Sequence, residues 1–482
     1  MKNILLVTSE SVPFMKTGGL ADVVGALPKY LDKRYFDARI IMPKYSCIRQ
    51  EHKDLMRYIT HFYMNLAGKD RYVGIFEAEI SGVKYYFIDN EEYFSGWTPY
   101  GDLKRDCEKF IFFSRAALSA LPVIGFKPDV VHCHDWQTGL VPVYLKDSFR
   151  GGDFFRNMKS VMTIHNIKFQ GNEHIGAIKY FSGLSDYYFT SDKLVGFGDG
   201  NMLKGGITYA DAVTTVSPTY ANEIKTSEYG EGLEGILNAR SHDLRGILNG
   251  IDYEIFNTYN NHHIMWPYTV DNFRTEKVKN KLALQEMLGL NKNPNTMVIG
   301  MVTRLTAQKG LDLVAYIMDE MLSKDAVQIV ALGTGDYKYE EMLQYFAGKY
   351  PGKVAACIYY SDDLSHKIYA GSDAFLMPSL FEPCGLSQLI SLKFGTLPIV
   401  RETGGLRDTV EPYNEFAGTG TGFSFYNYNA HELLKTIRYA ERIYYDRKDE
   451  WNRMVERAMR KDYSWQTSAN KYQEMYDWLI GY

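Results

Sequence analysis

The sequence predicts an α/β protein of two domains, each a doubly wound parallel sheet, facing each other across a central cleft. Three observations predict it. Short apolar runs alternate with longer amphipathic segments along the chain, the pattern of strands covered on both faces by helices. The pattern is interrupted near residue 250 and restarts near 297. One eight-residue phrase also occurs in each half, as Thr17-Gly18-Gly19-Leu20-Ala21-Asp22-Val23-Val24 and as Thr403-Gly404-Gly405-Leu406-Arg407-Asp408-Thr409-Val410. A Gly-Gly pair between strand and helix lets bare backbone N–H groups approach a ligand, and the helix N-terminus behind it favours negative charge. One such turn per half is the arrangement expected of an enzyme that handles a phosphorylated donor.

The elements follow in order. Ile4 to Val7 reads as the first strand, with the first glycine turn and a helix after it. Asp129 to Cys133 leads through His134-Asp135-Trp136 into a helix over Leu140 to Lys146, and Ser160 to Ile164 ends at His165-Asn166. Ala212 to Val216 ends at Ser217-Pro218, where Pro suits a first helical turn. Strands of the second half are expected at Met297 to Val302, Val327 to Leu332, Val354 to Tyr359, Ala374 to Met377 and Leu397 to Val400. A turn-rich stretch from Leu248 to Pro267, with Asn257, Asn260, Asn261 and two histidines, separates the halves. Domains are therefore expected at 1–252 and 253–462. The last segment, 463–482, has Ser464 as a candidate N-cap and aromatics at helical spacing (Trp465, Tyr472, Tyr476, Trp478).

Composition narrows the function. A chain of 482 residues with 45% hydrophobic and 23% charged residues is ordinary globular protein with room for more than one core. A net charge of −4 offers no basic excess for a nucleic-acid backbone. The five cysteines are widely spaced without a C-x-x-C pair, so neither a disulfide framework nor a structural zinc site is expected. The first apolar run is too short for a signal peptide, and no run approaches the ~20 residues of a membrane span. The expectation is a soluble cytoplasmic enzyme without membrane or nucleic-acid partners.

In doubly wound sheets ligands collect beyond the C-terminal ends of the strands. Lys16 before Gly18 and Gly19 offers a point charge to a phosphate. Arg304 and Lys309, five residues apart at a strand-to-helix turn, are able to meet one anion. Glu382 follows the strand ending at Pro378 and is placed to hold sugar hydroxyls, while N–H groups at Gly385, Leu386 and Ser387 open the next helix. Cys384 reads as a small packing residue, since no histidine follows it. His132 and His134 point to one side of their strand without a third metal ligand, so Asp135 and His165 are read as lining a sugar pocket and no metal is expected. No Asp-x-Asp occurs, so cationic side chains have to stabilise a leaving diphosphate themselves. The absence of G-x-G-x-x-G after either first strand excludes a nicotinamide oxidoreductase.

Taken in order, Lys16-Thr17-Gly18-Gly19-Leu20-Ala21-Asp22-Val23, His134-Asp135-Trp136, Thr163-Ile164-His165-Asn166, Arg304-Leu305-Thr306-x-Gln308-Lys309-Gly310, Phe381-Glu382-Pro383-Cys384-Gly385-Leu386 and Thr403-Gly404-Gly405-Leu406 resemble the bacterial glycogen synthases and plant starch synthases, retaining glucosyltransferases of the GT-B fold. The resemblance implies two Rossmann-like domains, with the segment after residue 463 crossing back to the first. It also implies transfer of glucose from ADP-glucose to the non-reducing end of an α-1,4-glucan such as glycogen, without a cofactor. It implies catalytic roles for Glu382, Asp135, His165, Arg304 and Lys309. Substrate contacts are implied at Lys16, Gly18, Gly19, Asp22, Asn166, Tyr360 (beside the adenine), Cys384, Gly385, Leu386, Ser387, Thr403 and Gly404. Leu380 departs from the basic residue that many members carry before Phe-Glu-Pro. A transferase using another base, such as UDP-glucose, and a glucan-binding protein without catalysis are the alternatives; the intact cations and Glu382 argue against the second.

Overall fold

The computed structural model describes residues 1–481; Tyr482, the end of the segment 463–482, lies outside them. Contacts divide the chain into two units, one of residues 1–249 with 465–481, the other Gly250–Ser464. The chain thus leaves the first unit at Asn249/Gly250, close to the turn at Asp252, and re-enters it at Trp465.

The first unit holds a nine-stranded sheet in the order Leu244–Gly246, Ala212–Thr215, Lys159–Ile164, Val130–His134, Lys2–Val7, Phe36–Pro43, Val83–Asp89, Lys69–Ile80 and Arg57–Leu66. Pairing is parallel from the first of these through Val83–Asp89. The last two strands extend the sheet as antiparallel hairpins, an addition to the expected strand–helix alternation. The central strands are continuous apolar runs; Ile4, Leu5, Leu6, Val7, Val130, Val131 and Cys133 are all fully buried. Such strands are covered on both faces.

The second unit is a six-stranded, wholly parallel sheet in the order Val354–Cys357, Val327–Leu332, Met297–Val302, Ala374–Met377, Leu397–Arg401 and Phe423–Phe425. Side chains alternate across it: Met297, Ile299 and Met301 enter one apolar cluster with Ile437 and Trp451, whereas Val298 and Val330 enter another with Ile368 and Leu284. Helices therefore cover both faces, and the sequence of each strand reads apolar without a period of two.

The helix Trp465–Ile480 packs in the first unit. Trp465, Tyr472 and Tyr476 are buried, and Tyr476 Oη pairs with His132 Nδ1 at 2.7 Å. Trp478 does not join that stripe: it is half exposed and lies beneath the Arg245 guanidinium. Lys2 Nζ meets Asp477 and Gln473 accepts from the Asp32 N–H, so the helix is held at both the start of the first strand and the end of the helix Gly19–Tyr30.

Candidate functional site

In the first unit the strand Lys2–Val7 ends at a buried carboxylate. Glu10 accepts from Thr17 N and Thr17 Oγ1 (the latter at 2.7 Å) and from Tyr100 Oη, which also meets Ser9 Oγ at 2.8 Å. Glu10 thereby clamps the turn that carries Lys16, Gly18 and Gly19. Lys16 Nζ pairs with Asp22 at 2.8 Å, across the first turn of the helix Gly19–Tyr30. Gly18 has extended backbone, and a Cβ built there meets nothing within 4 Å. Space beside this glycine is open, as backbone approach by a ligand requires.

The adjacent strands Val130–His134 and Lys159–Ile164 end at Asp135 and His165. Asp135 has φ 55° and ψ −175°, a region essentially reserved for glycine and costing about 1–3 kcal/mol. Its carboxylate Oδ1 accepts from His165 N at 2.7 Å, so Asp135 shapes the His165-Asn166 turn. His165 Nε2 and His134 Nδ1 share a proton at 3.0 Å. Both ring nitrogens of His132 are taken, by Tyr476 and by Thr163 Oγ1 at 2.6 Å, which leaves His132 no nitrogen for a metal. Asn166 Oδ1 accepts from Lys168 N.

Burial sets the ionisation here. It holds His132 and His165 down at about 3 and His134 well below its ordinary value. It pushes the Asp135 carboxyl up to about 7, against the lowering by the His165 and Asn166 N–H groups. Each histidine binds a proton only when unfolded between its folded value and 6.5, so stability falls as pH falls through that window, by about 2 kcal/mol for each of His132 and His165 from pH 6.5 to 5. Asp135 has the opposite sign, since the folded state holds its proton between about 3.8 and 7. Within the first unit three histidines stand against one carboxylate, so the urea midpoint of that unit is expected to fall between pH 7 and pH 5. Asp135→Asn removes the opposition and steepens the loss; a midpoint that rises on acidification contradicts the assignment.

In the second unit the strands Met297–Val302 and Ala374–Met377 are neighbours, and the loops after them meet. Lys309 Nζ lies 2.6 Å from Glu382 Oε2, with Ser379 Oγ donating to the same oxygen at 3.0 Å. The pair is largely buried. Arg304 is exposed, and its guanidinium makes no hydrogen bond or ion pair among the described residues; its carbonyl accepts from Thr306 N at 3.0 Å. The second glycine turn packs on the Glu382 loop: Gly405 N donates to Glu382 O at 3.1 Å, and Cβ atoms at Gly404 and Gly405 would lie 1.9 Å from Glu382 O and 2.1 Å from Cys384 O. Cys384 is buried, Gly385 is left-handed (φ 73°), and Leu386 precedes the helix Ser387–Lys393. Thr403 is buried directly before the helix Gly404–Thr409. Tyr360, 80% exposed, stands just beyond the strand Val354–Cys357. The Leu380 carbonyl accepts from Arg401 Nη1.

Within each unit the expected residues fall into groups: Lys16 with Asp22, Asp135 with His165 and Asn166, Lys309 with Glu382. Arg304 and Tyr360 stand apart from these. Sequence reasoning missed Tyr100, which helps position the first glycine turn, and Gln388, whose amide donates to Cys384 O and Gly385 O at 2.9 and 3.0 Å and locks the turn before its own helix. Neither sits at a strand end, so strand-end logic gave no signal for them.

A family model described as the starch synthase catalytic domain matches residues 3–239, and one for glycosyl transferases group 1 matches residues 285–460. The chain is similar to a glycogen synthase of Lachnospira eligens, 60% identical over 99% of this chain and 100% of that one. It is 49% identical to a glycogen synthase of Geobacillus stearothermophilus over 99% of this chain and 98% of that one. Among solved structures it resembles the catalytic domain of starch synthase IV from Arabidopsis thaliana bound to ADP and acarbose, with a TM-score of 0.92, 32% identity and coverage of 100% and 99% of the two chains.

Proposed function

Because this chain belongs to the family of glycogen and starch synthases, we propose that it transfers glucose from ADP-glucose to the non-reducing end of an α-1,4-glucan, with retention, in glycogen biosynthesis. Full-length identity to glycogen synthases supports a glucosyltransferase of the GT-B class. The observation that carries the chemistry is the Lys309–Glu382 couple at adjoining strand ends. A donor diphosphate competes for Lys309. Once the ammonium turns to phosphate, Glu382 is released to accept hydrogen bonds from glucose hydroxyls, which are uncharged and cost less to hold in a dry site. Arg304, exposed five residues before Lys309, supplies the second cation for the leaving diphosphate. Gly385 to Ser387 give backbone donors at a helix start. In the first unit, Lys16 with Gly18 and Gly19 meets the phosphates, and Asp135, His165 and Asn166 line the glucose side. Tyr360 lies beside the adenine.

A cytoplasmic location without a membrane partner goes with this reading. Among the described residues no helix is long and apolar enough to cross a membrane, and Cys47, Cys107, Cys133, Cys357 and Cys384 are all free thiols, as suits a reducing compartment. The test is transfer to a glycogen primer from ADP-glucose and from UDP-glucose, followed by digestion of the product with an α-1,4-specific glucanase. Faster transfer from ADP-glucose into digestible product is expected. Preference for UDP-glucose rejects the donor assignment, and a product resistant to the glucanase rejects the linkage.

A further inference from the structure

We propose that His263, Asp362 and His366 of the second unit bind one divalent transition-metal ion of the zinc, cobalt or nickel type. Donor atoms of the three residues all lie within 4.8 Å of one another. Asp362 and His366 are four residues apart in the helix Asp362–Gly371 and so share a face. His263 comes from the turn-rich stretch after the unit boundary, with its ring centroid 4.7 Å from that of His366.

Two details point to a ligand. His263 Nδ1 lies 3.1 Å from Asp363 Oδ1 and His263 Nε2 lies 3.9 Å from Asp362 Oδ2. Asp363 accepts the Nδ1 proton, leaving the Nε2 lone pair toward Asp362, as outer carboxylates do for ligating histidines. His366 is fully buried, stacked on Phe256, and its Nε2 has no hydrogen-bond partner. An unpartnered buried ring nitrogen is an omission that folded proteins seldom leave. Two imidazoles and one carboxylate suit zinc-like ions and not magnesium or calcium. Asp362, more than half exposed, leaves a side open to water as a fourth ligand.

The tautomer of His366 matters. Asn261 Nδ2, which also donates to Asn257 O, donates to His366 Nδ1 at 2.8 Å, so the ring proton sits on Nε2. An ion takes Nε2 only when that proton has moved to Nδ1 and residue 261 accepts it. Asn261 does so by turning its amide, giving up its bonds to Asn257 O and His263 N. Asn261→Asp accepts in either orientation and is expected to bind the ion more tightly.

The experiment uses the full-length, EDTA-stripped protein, titrated with Zn²⁺ by calorimetry and with Co²⁺ by visible absorption. One saturable site is expected, with the absorption of tetrahedral cobalt and a rise in Tm on adding zinc. His263→Ala and Asp362→Asn should each weaken binding by about tenfold or more and abolish the Tm rise, with glucosyl transfer unchanged. Asn261→Asp should tighten binding in a protein of unchanged circular dichroism. Absence of saturable binding, or equal binding by wild type and His263→Ala, overturns the proposal. So does weaker binding by folded Asn261→Asp.

Discussion

Lys309→Gln is expected to lower turnover with ADP-glucose by about a hundred- to a thousand-fold, the loss seen when one preorganised donor to developing negative charge is removed. The structure adds a stability effect that a lone loop lysine does not predict. Lys309 and Glu382 form a largely buried pair, and removing one partner of such a pair costs about 3–5 kcal/mol when nothing replaces it. Glutamine still donates a neutral hydrogen bond to Glu382, and Ser379 Oγ remains, so a smaller loss is expected. The double variant Lys309→Gln/Glu382→Gln separates the two effects. It places two neutral amides face to face, so the urea midpoint should return toward wild type while turnover stays low. Recovery of turnover along with the midpoint would sink the catalytic assignment of the couple.

Gly405→Ala and Gly18→Ala should behave in opposite ways although both sit in the same Thr-Gly-Gly-Leu phrase. A Cβ at Gly405 would lie 2.1 Å from Cys384 O, a backbone atom on a loop that Gln388 holds in place. Relief requires the Glu382 loop to shift, so a loss of about 3 kcal/mol or more in stability is expected, with activity falling alongside. At Gly18 a Cβ meets nothing within 4 Å and the backbone is extended. Gly18→Ala should change stability by about 1 kcal/mol or less, as expected for alanine at an N-cap. It should nevertheless raise the KM for ADP-glucose, because the added methyl occupies the space through which a phosphate reaches the backbone N–H groups. Urea midpoints and donor KM values for the two variants decide this. A Gly18→Ala enzyme with wild-type KM removes the first glycine turn from the donor site.

The strands legible in advance were the buried ones. Met297 to Val302, Val327 to Leu332 and Ala374 to Met377 match their observed limits, because a strand covered on both faces is apolar throughout and ends where polar residues begin. The hairpins Arg57–Leu66 and Lys69–Ile80 were not legible in that way. Buried and exposed positions mix along them, as do polar and apolar residues, and no helix follows to complete the alternation.

Residue types and their order decided the fold class, the family and the list of groups at the strand ends, since backbone periodicity and short motifs are properties of neighbours in the chain. Which of those groups touch is another matter. The partnership of Lys309 with Glu382, the Glu10–Tyr100 clamp on the first glycine turn and the different work of its two copies come from residues tens of positions apart. Contact, burial and the space left around a backbone atom arise only when distant segments pack, and a string of residues does not encode them locally.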